Sequence, residues 1–111
     1  MKLFQLRAVV AVAEHGNFSE AAMELQLSQP AISHAIATLE EELGVPLFSR
    51  GRWGAVLTPA GEQILHHARM ALQHLELMQL EANRQKGLHG GQVRIASFRS
   101  VATHLGSNAK K

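Results

Sequence analysis

Two helix-start signals lie close together in the N-terminal part of the chain, and their spacing restricts the possible folds more than any other feature. Ser19 can cap one helix, and Ser28, followed by Gln29 and Pro30, can cap the next. The helix between the two signals is therefore limited to about two turns. The next helix continues with apolar residues at spacings of three and four until Gly44 ends it. Two helices joined by such a tight turn form the helix-turn-helix pattern.

The flanking segments extend this pattern into a complete small domain. Apolar residues at positions 3, 6, 10 and 13 predict a helix that precedes the pair and ends near Gly16. Residues 45–57 are typical of two short strands around a turn at 51–54, and Thr58-Pro59 starts a long helix. We therefore predict a mainly α fold. It is a winged helix-turn-helix of three helices plus a two-stranded wing, followed by a long dimerisation helix.

The predicted domain limits follow from these elements. The winged domain spans residues 1–58, the linker helix spans 59–88, and the remainder spans 89–111. Residues 92–98 alternate between polar and apolar, which predicts a strand. A single strand has no neighbour with which to pair. We therefore expect residues 89–111 to be a tail or the truncated start of a further domain.

Composition excludes several classes of catalytic and metal site. The chain contains no Cys, Asp or Tyr, which excludes disulfides, Cys-ligated zinc, a Ser-His-Asp triad and an EF-hand loop. His66, His67 and His74 lie on one predicted helix, but their spacing is loose for a single ion. We therefore predict no metal and no cofactor. The chain has neither a Gly-x-Ser-x-Gly motif nor a Gly-rich phosphate loop, so we do not expect an enzyme.

The positive charge of the chain is concentrated near its C-terminus. The formal net charge is +2, yet residues 1–60 contain four Lys or Arg and six Glu. Residues 61–91 contain three of each, and residues 92–111 contain four basic residues and no Glu. Binding of a polyanion by the first domain would therefore depend on the placement of charges rather than on net charge. No targeting segment or membrane span is visible, so we expect a cytoplasmic protein with no membrane partner.

The start of the third helix has the chemistry that a DNA major groove requires. Its N-terminal face is polar and not acidic, and a Gln there can pair with adenine through two hydrogen bonds. The helix N-terminus offers N–H groups to a phosphate, and arginines in the hairpin can reach the DNA backbone. The alternative is a small three-helix bundle whose polar helix start binds nothing. The predicted DNA-binding residues are Ser28, Gln29, Pro30, Ala31, Ser33, His34, Arg50 and Arg52.

Three segments of the chain strongly resemble the N-terminal region of LysR-type transcriptional regulators. They are FSEAAMELQLSQPAIS from Phe18 to Ser33, LEEELGVPLFSR from Leu39 to Arg50, and LTPAG from Leu57 to Gly61. The resemblance implies a sequence-specific regulator that binds a pseudo-palindromic operator in double-stranded DNA. It also implies a C-terminal effector domain, which we expect to be missing from these 111 residues, so a small-molecule co-inducer is expected only in a full-length protein.

The chain departs from the family pattern at two places that concern phosphate contacts. The family often has Arg or Lys at position 34, where this chain has His34. The family wing usually keeps a basic residue near its second strand, where this chain has Trp53, Ala55 and Val56. Both departures predict weaker contacts with the DNA backbone than the family pattern implies.

The long helix carries apolar residues in a heptad pattern, at steps of four and three from Ile64 onwards. About thirty residues of helix exceed what a sixty-residue domain can cover, so we predict a homodimer. The resemblance to the LysR family also allows a higher oligomer, because regulators of this family form tetramers. The alternatives are a helix folded wholly onto its own domain, or a helical protein-interaction module without sequence-specific DNA binding. The predicted dimerisation residues are Ile64, Leu65, Ala68, Ala71, Leu72, Leu75, Met78 and Ala82.

Overall fold

A computed structural model of the chain describes residues 1–52 and 54–90. Three helices are followed by a two-stranded antiparallel hairpin and a long helix, which confirms the predicted fold class. The predicted strand at 92–98 and the hairpin residue Trp53 lie outside the described residues. The elements are α1 Leu3–His15, α2 Phe18–Leu25, α3 Gln29–Leu43, β1 Phe48–Gly51, β2 Gly54–Leu57 and α4 Pro59–Gly90.

Helix α1 forms as predicted, and most of the positions that suggested it are partly buried against the core, beside a fully buried stripe. Gln5, Ala8, Val9 and Val12 are buried, whereas Leu3 is 41% exposed. The small side chains on the buried face allow α2 and α3 to approach closely, and this favours that face over the bulkier one. The buried polar side chain is satisfied, because Oε1 of Gln5 accepts a hydrogen bond of 2.6 Å from the backbone N–H of Lys2.

The start of α2 corrects a prediction. The residue that caps this helix is Asn17, whose side chain accepts a hydrogen bond of 2.7 Å from the backbone N–H of Glu20. Ser19 lies within the first turn instead. Gly16 adopts a left-handed conformation with φ of 77° and ends α1 one residue before the cap. Because the turn is so short, helix α2 begins at Phe18, and this places an aromatic ring at its first position.

Helix α3 begins and ends where the sequence predicts. Ser28 Oγ accepts a hydrogen bond of 3.2 Å from the N–H of Ala31, and Pro30 lies in the first turn. Gly44 ends the helix with φ of 78°. Leu27, the apolar residue just before the Ser28 cap, is 44% exposed. The preceding residue, Gln26, is left-handed with φ of 59°, and the turn that it makes leaves Leu27 outside the core.

The hairpin is attached to the helices by hydrogen bonds and close contacts that its backbone makes. The carboxylate of Glu40 accepts hydrogen bonds of 2.7 and 3.2 Å from the N–H groups of Leu47 and Phe48. At the tip, Gly54 has φ of 119°, and a Cβ there would clash with the carbonyl oxygen of Gly16. The N–H of the next residue, Ala55, donates a hydrogen bond of 2.9 Å to that same oxygen. The wing is therefore held against the turn between α1 and α2.

Two compact units make up the chain, Met1–Leu72 and Gln73–Lys111. In the first, Leu65 and Ala68 of α4 are buried and Ile64 packs against the hydrophobic core. In the second, the described part is the end of α4, with exposed apolar side chains that include Met78. Among the described residues, no helix is both long and apolar enough to cross a bilayer.

Candidate nucleic-acid interface

The first turns of α3 present the predicted base-reading residues at the surface. Gln29, Pro30 and His34 are exposed, and Ser33 is partly exposed. Gln29 lies at the first helical position, and within the described residues its amide donors and carbonyl acceptor have no partner, so they are available for a base edge. The exposed positions are thus those that could enter a groove, while Ile32 beside them is completely buried and fixes the helix on the domain.

Ser28 and Ala31 have a structural role in addition to the predicted one. Their cap hydrogen bond uses one acceptor site of the Ser28 hydroxyl, although the hydroxyl proton is still available as a donor. Ala31 is partly buried, and Ser28 is exposed. Ser28 can therefore contact a phosphate as a hydrogen-bond donor while it caps α3.

The imidazole of His34 contacts a neighbouring side chain on the same helix. Its Nε2 lies 3.4 Å from Oγ1 of Thr38, and that hydroxyl donates a hydrogen bond of 2.8 Å to the carbonyl oxygen of His34. The ring therefore lies along the helix rather than pointing straight away from it. A contact with DNA at this position would require the ring to leave Thr38 or to act through its other nitrogen.

The two wing arginines are exposed, and within residues 1–52 and 54–90 neither pairs with a carboxylate. Arg50 stacks on an aromatic ring, with its guanidinium carbon 4.1 Å from the ring centroid of Phe18. The same ring meets Phe48 edge-on at a centroid distance of 6.1 Å. Arg52 follows β1, in the turn of the hairpin. Both positive charges are therefore available to an anion.

A cleft of about 170 Å³ joins the wing to the starts of α2 and α3. It brings together two of the predicted residues, Gln29 and Arg50. Two helix N-termini and a guanidinium group converge on this cleft, and each of these favours a bound phosphate. The other predicted residues do not line it. The lining residues are Asn17, Phe18, Ser19, Gln29, Arg50, Gly51, Gly54 and Ala55.

Sequence reasoning missed Phe18 and Asn17 as members of this site. Phe18 is distant in sequence from Arg50, and no local pattern relates an aromatic residue at a helix start to an arginine in a hairpin. Asn17 directly follows the stop at Gly16, and the signal that could have identified it is its ability to cap a helix that starts at Phe18.

A second cleft, of about 180 Å³, lies on the other side of α3, between its middle and the start of α1. His34 and Thr38 line it from α3, and Lys2 lines it from the N-terminus. The N-terminal amine of Met1 is 2.8 Å from the Glu42 carboxylate, so the acidic end of α3 is partly neutralised. Lys2 therefore adds a positive charge near His34 that the sequence did not suggest.

The histidines of α4 show no arrangement typical of a metal site. The rings of His66 and His67 contact each other edge-on, with centroids 5.2 Å apart. Over the part of the chain that the structure describes, no three His, Cys, Asp or Glu residues are close enough to hold an ion.

The predicted dimerisation residues separate into two groups. Leu65 and Ala68 are buried inside the first unit, and Ile64 packs on its core, so these three already have packing partners within the domain. The other group is at least partly exposed, and in it Leu75 is 37% and Met78 63% exposed. The remaining members of this group are Ala71, Leu72 and Ala82.

Comparison with known proteins agrees with this architecture. Residues 3–62 match the family described as "Bacterial regulatory helix-turn-helix protein, lysR family". The chain is 55% identical over 105 residues to the "Probable HTH-type transcriptional regulator LrrA" of Synechococcus elongatus. That match covers 95% of this chain and 36% of LrrA, so the chain spans about a third of the length of this curated relative.

Two solved structures provide the structural comparison. The CbnR_DBD–DNA complex has a TM-score of 0.67 and 41% identity, over 78% of this chain and 95% of that one. The BenM_DBD/catB site 1 DNA complex has a TM-score of 0.75 and 36% identity, over 83% of this chain and all of that one. The winged helix-turn-helix geometry and the family match over more than half of the sequence show that the chain belongs to the LysR family of bacterial helix-turn-helix regulatory proteins.

Proposed function

We propose that the chain is a sequence-specific DNA-binding module of a transcriptional regulator rather than an enzyme. The observation that carries the proposal is the exposed, polar start of α3, together with an exposed arginine at the cleft beside it. The similarity to two solved DNA complexes at 36–41% identity supports the same function. The partner is double-stranded DNA in the cytoplasm of a bacterium.

In this proposal the recognition helix α3 enters the major groove with Gln29 at its tip. Gln29 reads an adenine, and Pro30 and Ala31 contact thymine methyl groups. Ser28, Ser33 and His34 contact phosphates or base edges, and the arginines of the wing contact the backbone. The first sixty residues have more acidic than basic groups. Affinity therefore depends on a few well-placed cations and on helix N-termini, rather than on a generally positive surface.

We further propose that two copies associate through α4, because a symmetric dimer presents two recognition helices to a pseudo-palindromic site. The exposed apolar residues Leu75 and Met78 support this proposal, since unpaired apolar side chains on a helix favour burial against a partner. Ala71, Leu72 and Ala82 belong to the same predicted contact. Leu65, Ala68 and Ile64 are assigned to packing within each copy.

Selection of binding sites from a pool of random duplexes tests this function directly. The purified chain should enrich a short inverted repeat whose half-sites are separated by about one helical turn or a multiple of it. Footprinting should show protection of both half-sites, and affinity should fall steeply as salt is raised. Failure to enrich any sequence at low salt would overturn the proposal. Enrichment of a single half-site would support DNA binding but would overturn the symmetric dimer.

A further inference from the structure

The ring of Phe18 is enclosed by two side chains from one strand of the wing. Phe48 and Arg50 are two residues apart in β1, so both lie on the face of the hairpin that covers α2. Phe48 meets the ring edge-on at 6.1 Å, and the Arg50 guanidinium carbon lies 4.1 Å from its centroid. Phe18 is 7% exposed and Arg50 is exposed, so one side of the ring is in the core and the other supports a charge at the surface.

The backbone of the wing is held in place without this contact. Ala55, the partner of Arg50 in the strand register, donates its N–H to the carbonyl oxygen of Gly16. At its base, the first strand is held by the carboxylate of Glu40. The backbone contacts therefore fix where the hairpin lies, while the ring of Phe18 fixes where the guanidinium of Arg50 lies.

A long arginine side chain at a protein surface normally samples many rotamers, and ordering it on binding costs conformational entropy. A guanidinium held over an aromatic face keeps its charge and its planar set of donors while it loses much of this freedom beforehand. Arg50 and Gln29 line the same cleft, so the charge is held at a defined place relative to the start of α3.

We propose that Phe18 is a positioning residue for DNA binding. It holds the Arg50 guanidinium at the cleft beside Gln29, so that the wing contacts a phosphate in the same register in which α3 contacts bases. The inference rests on the proposed DNA-binding function. It adds an aromatic residue of α2, outside the predicted contact set, as a determinant of affinity.

A double-mutant cycle in DNA affinity tests the role of the ring. Phe18→Leu keeps an apolar side chain but removes the ring, and Arg50→Gln removes the charge that the ring holds. Phe18→Leu should weaken binding about 3- to 10-fold, the range expected from a cation–π contact. The same change in the Arg50→Gln background should have an effect below about twofold, because no charge is left to position. Equal effects in both backgrounds would overturn the inference.

Phe48→Leu is the matched control, because it removes a ring from the same cluster without removing the face under Arg50. All variants are measured well below their own unfolding temperatures, and Phe48→Leu should change DNA affinity less than about twofold. If Phe18→Leu does not fold, site-specific replacement of the Phe18 ring by pentafluorophenyl keeps its shape and removes its negative face. That replacement should weaken binding as Phe18→Leu is expected to do, and unchanged affinity would overturn the inference.

A measurement on the free protein separates this inference from the DNA-binding proposal. In NMR spectra, the Hε and Hδ protons of Arg50 should be shifted upfield by the ring of Phe18, and the shift should persist in Phe48→Leu. The shift should disappear in Phe18→Leu, and it should be absent from Arg52 in every variant. If the wild type shows the shift but binds no DNA, the proposed function is refuted. Normal DNA binding without the shift would refute the role of Phe18 alone.

Discussion

The carboxylate of Glu40, near the end of α3, accepts a hydrogen bond of 2.7 Å from the backbone N–H of Leu47. A second bond, of 3.2 Å, reaches the N–H of Phe48. One acidic side chain therefore joins the recognition helix to the base of the wing. This side chain is the first of three consecutive glutamates, at positions 40 to 42.

Glu40→Ala should destabilise the domain by about 1–3 kcal/mol, because it leaves the N–H of the buried Leu47 without its acceptor. Urea unfolding monitored by circular dichroism measures the effect. The matched control is Glu41→Ala, a change at the neighbouring exposed position, which should shift stability by no more than about 0.5 kcal/mol. Equal stabilities of the two variants would contradict the structural role of Glu40.

Gln29→Ala should relax base preference at one position in each half-site, at a cost of about 1–3 kcal/mol for the preferred base. The physical reason is the loss of the two hydrogen bonds that an amide makes to adenine. Binding-site selection with wild type and variant measures the change position by position. Gln63→Ala on α4 is the control for an exposed glutamine outside the site. Unchanged specificity in Gln29→Ala would mean that the recognition helix lies in the groove differently.

His34→Arg should raise affinity for all sequences about 3- to 10-fold and steepen the dependence on salt by about one unit, because it adds one permanent cation near a phosphate. Fluorescence anisotropy at several salt concentrations measures both quantities. His74→Arg makes the same substitution at an exposed position in the second unit. If both substitutions steepen the salt dependence alike, position 34 has no special relation to the DNA.

Met78→Glu should weaken the proposed dimer by at least about 2 kcal/mol, because symmetry would bury two carboxylates without partners. Sedimentation velocity across micromolar concentrations gives the dissociation constant. Gln73→Glu introduces the same charge on a different side of the helix and should leave the association intact. A monomeric wild type at these concentrations would refute the dimer itself, whereas equal association of both variants would refute only the assignment of Met78.

Most of the element boundaries were predictable, because the signals that start and stop helices act within a few residues. Ser28 and Pro30 start α3, and Gly44 ends it, as local capping and backbone preferences require. Where two local signals competed, the prediction was wrong. Asn17 and Ser19 are both good caps, and the left-handed Gly16 selects Asn17 by bringing the chain into α2 two residues earlier.

The site was predictable only in part, because local sequence signals do not specify contacts between distant segments. Gln29 and Arg50 could be named from the chemistry of their side chains, but their common cleft depends on how the hairpin lies against α2. The hairpin is placed there by the hydrogen bond from Ala55 to the carbonyl oxygen of Gly16 and by the close approach of Gly54 to the same oxygen. Both contacts join segments that are distant in the chain. No periodicity within one element contains such information.

The sequence by itself determined the order and type of the elements, the family resemblance and the polar character of the recognition helix, because each depends on near neighbours or on a linear motif. The tertiary structure decided which face of α1 is buried and that Leu65 and Ala68 pack inside their own domain. It also decided that the Arg50 guanidinium stacks on the ring of Phe18. These outcomes follow from close packing between segments that are far apart in the chain, where shape and volume, rather than local preference, select the contact.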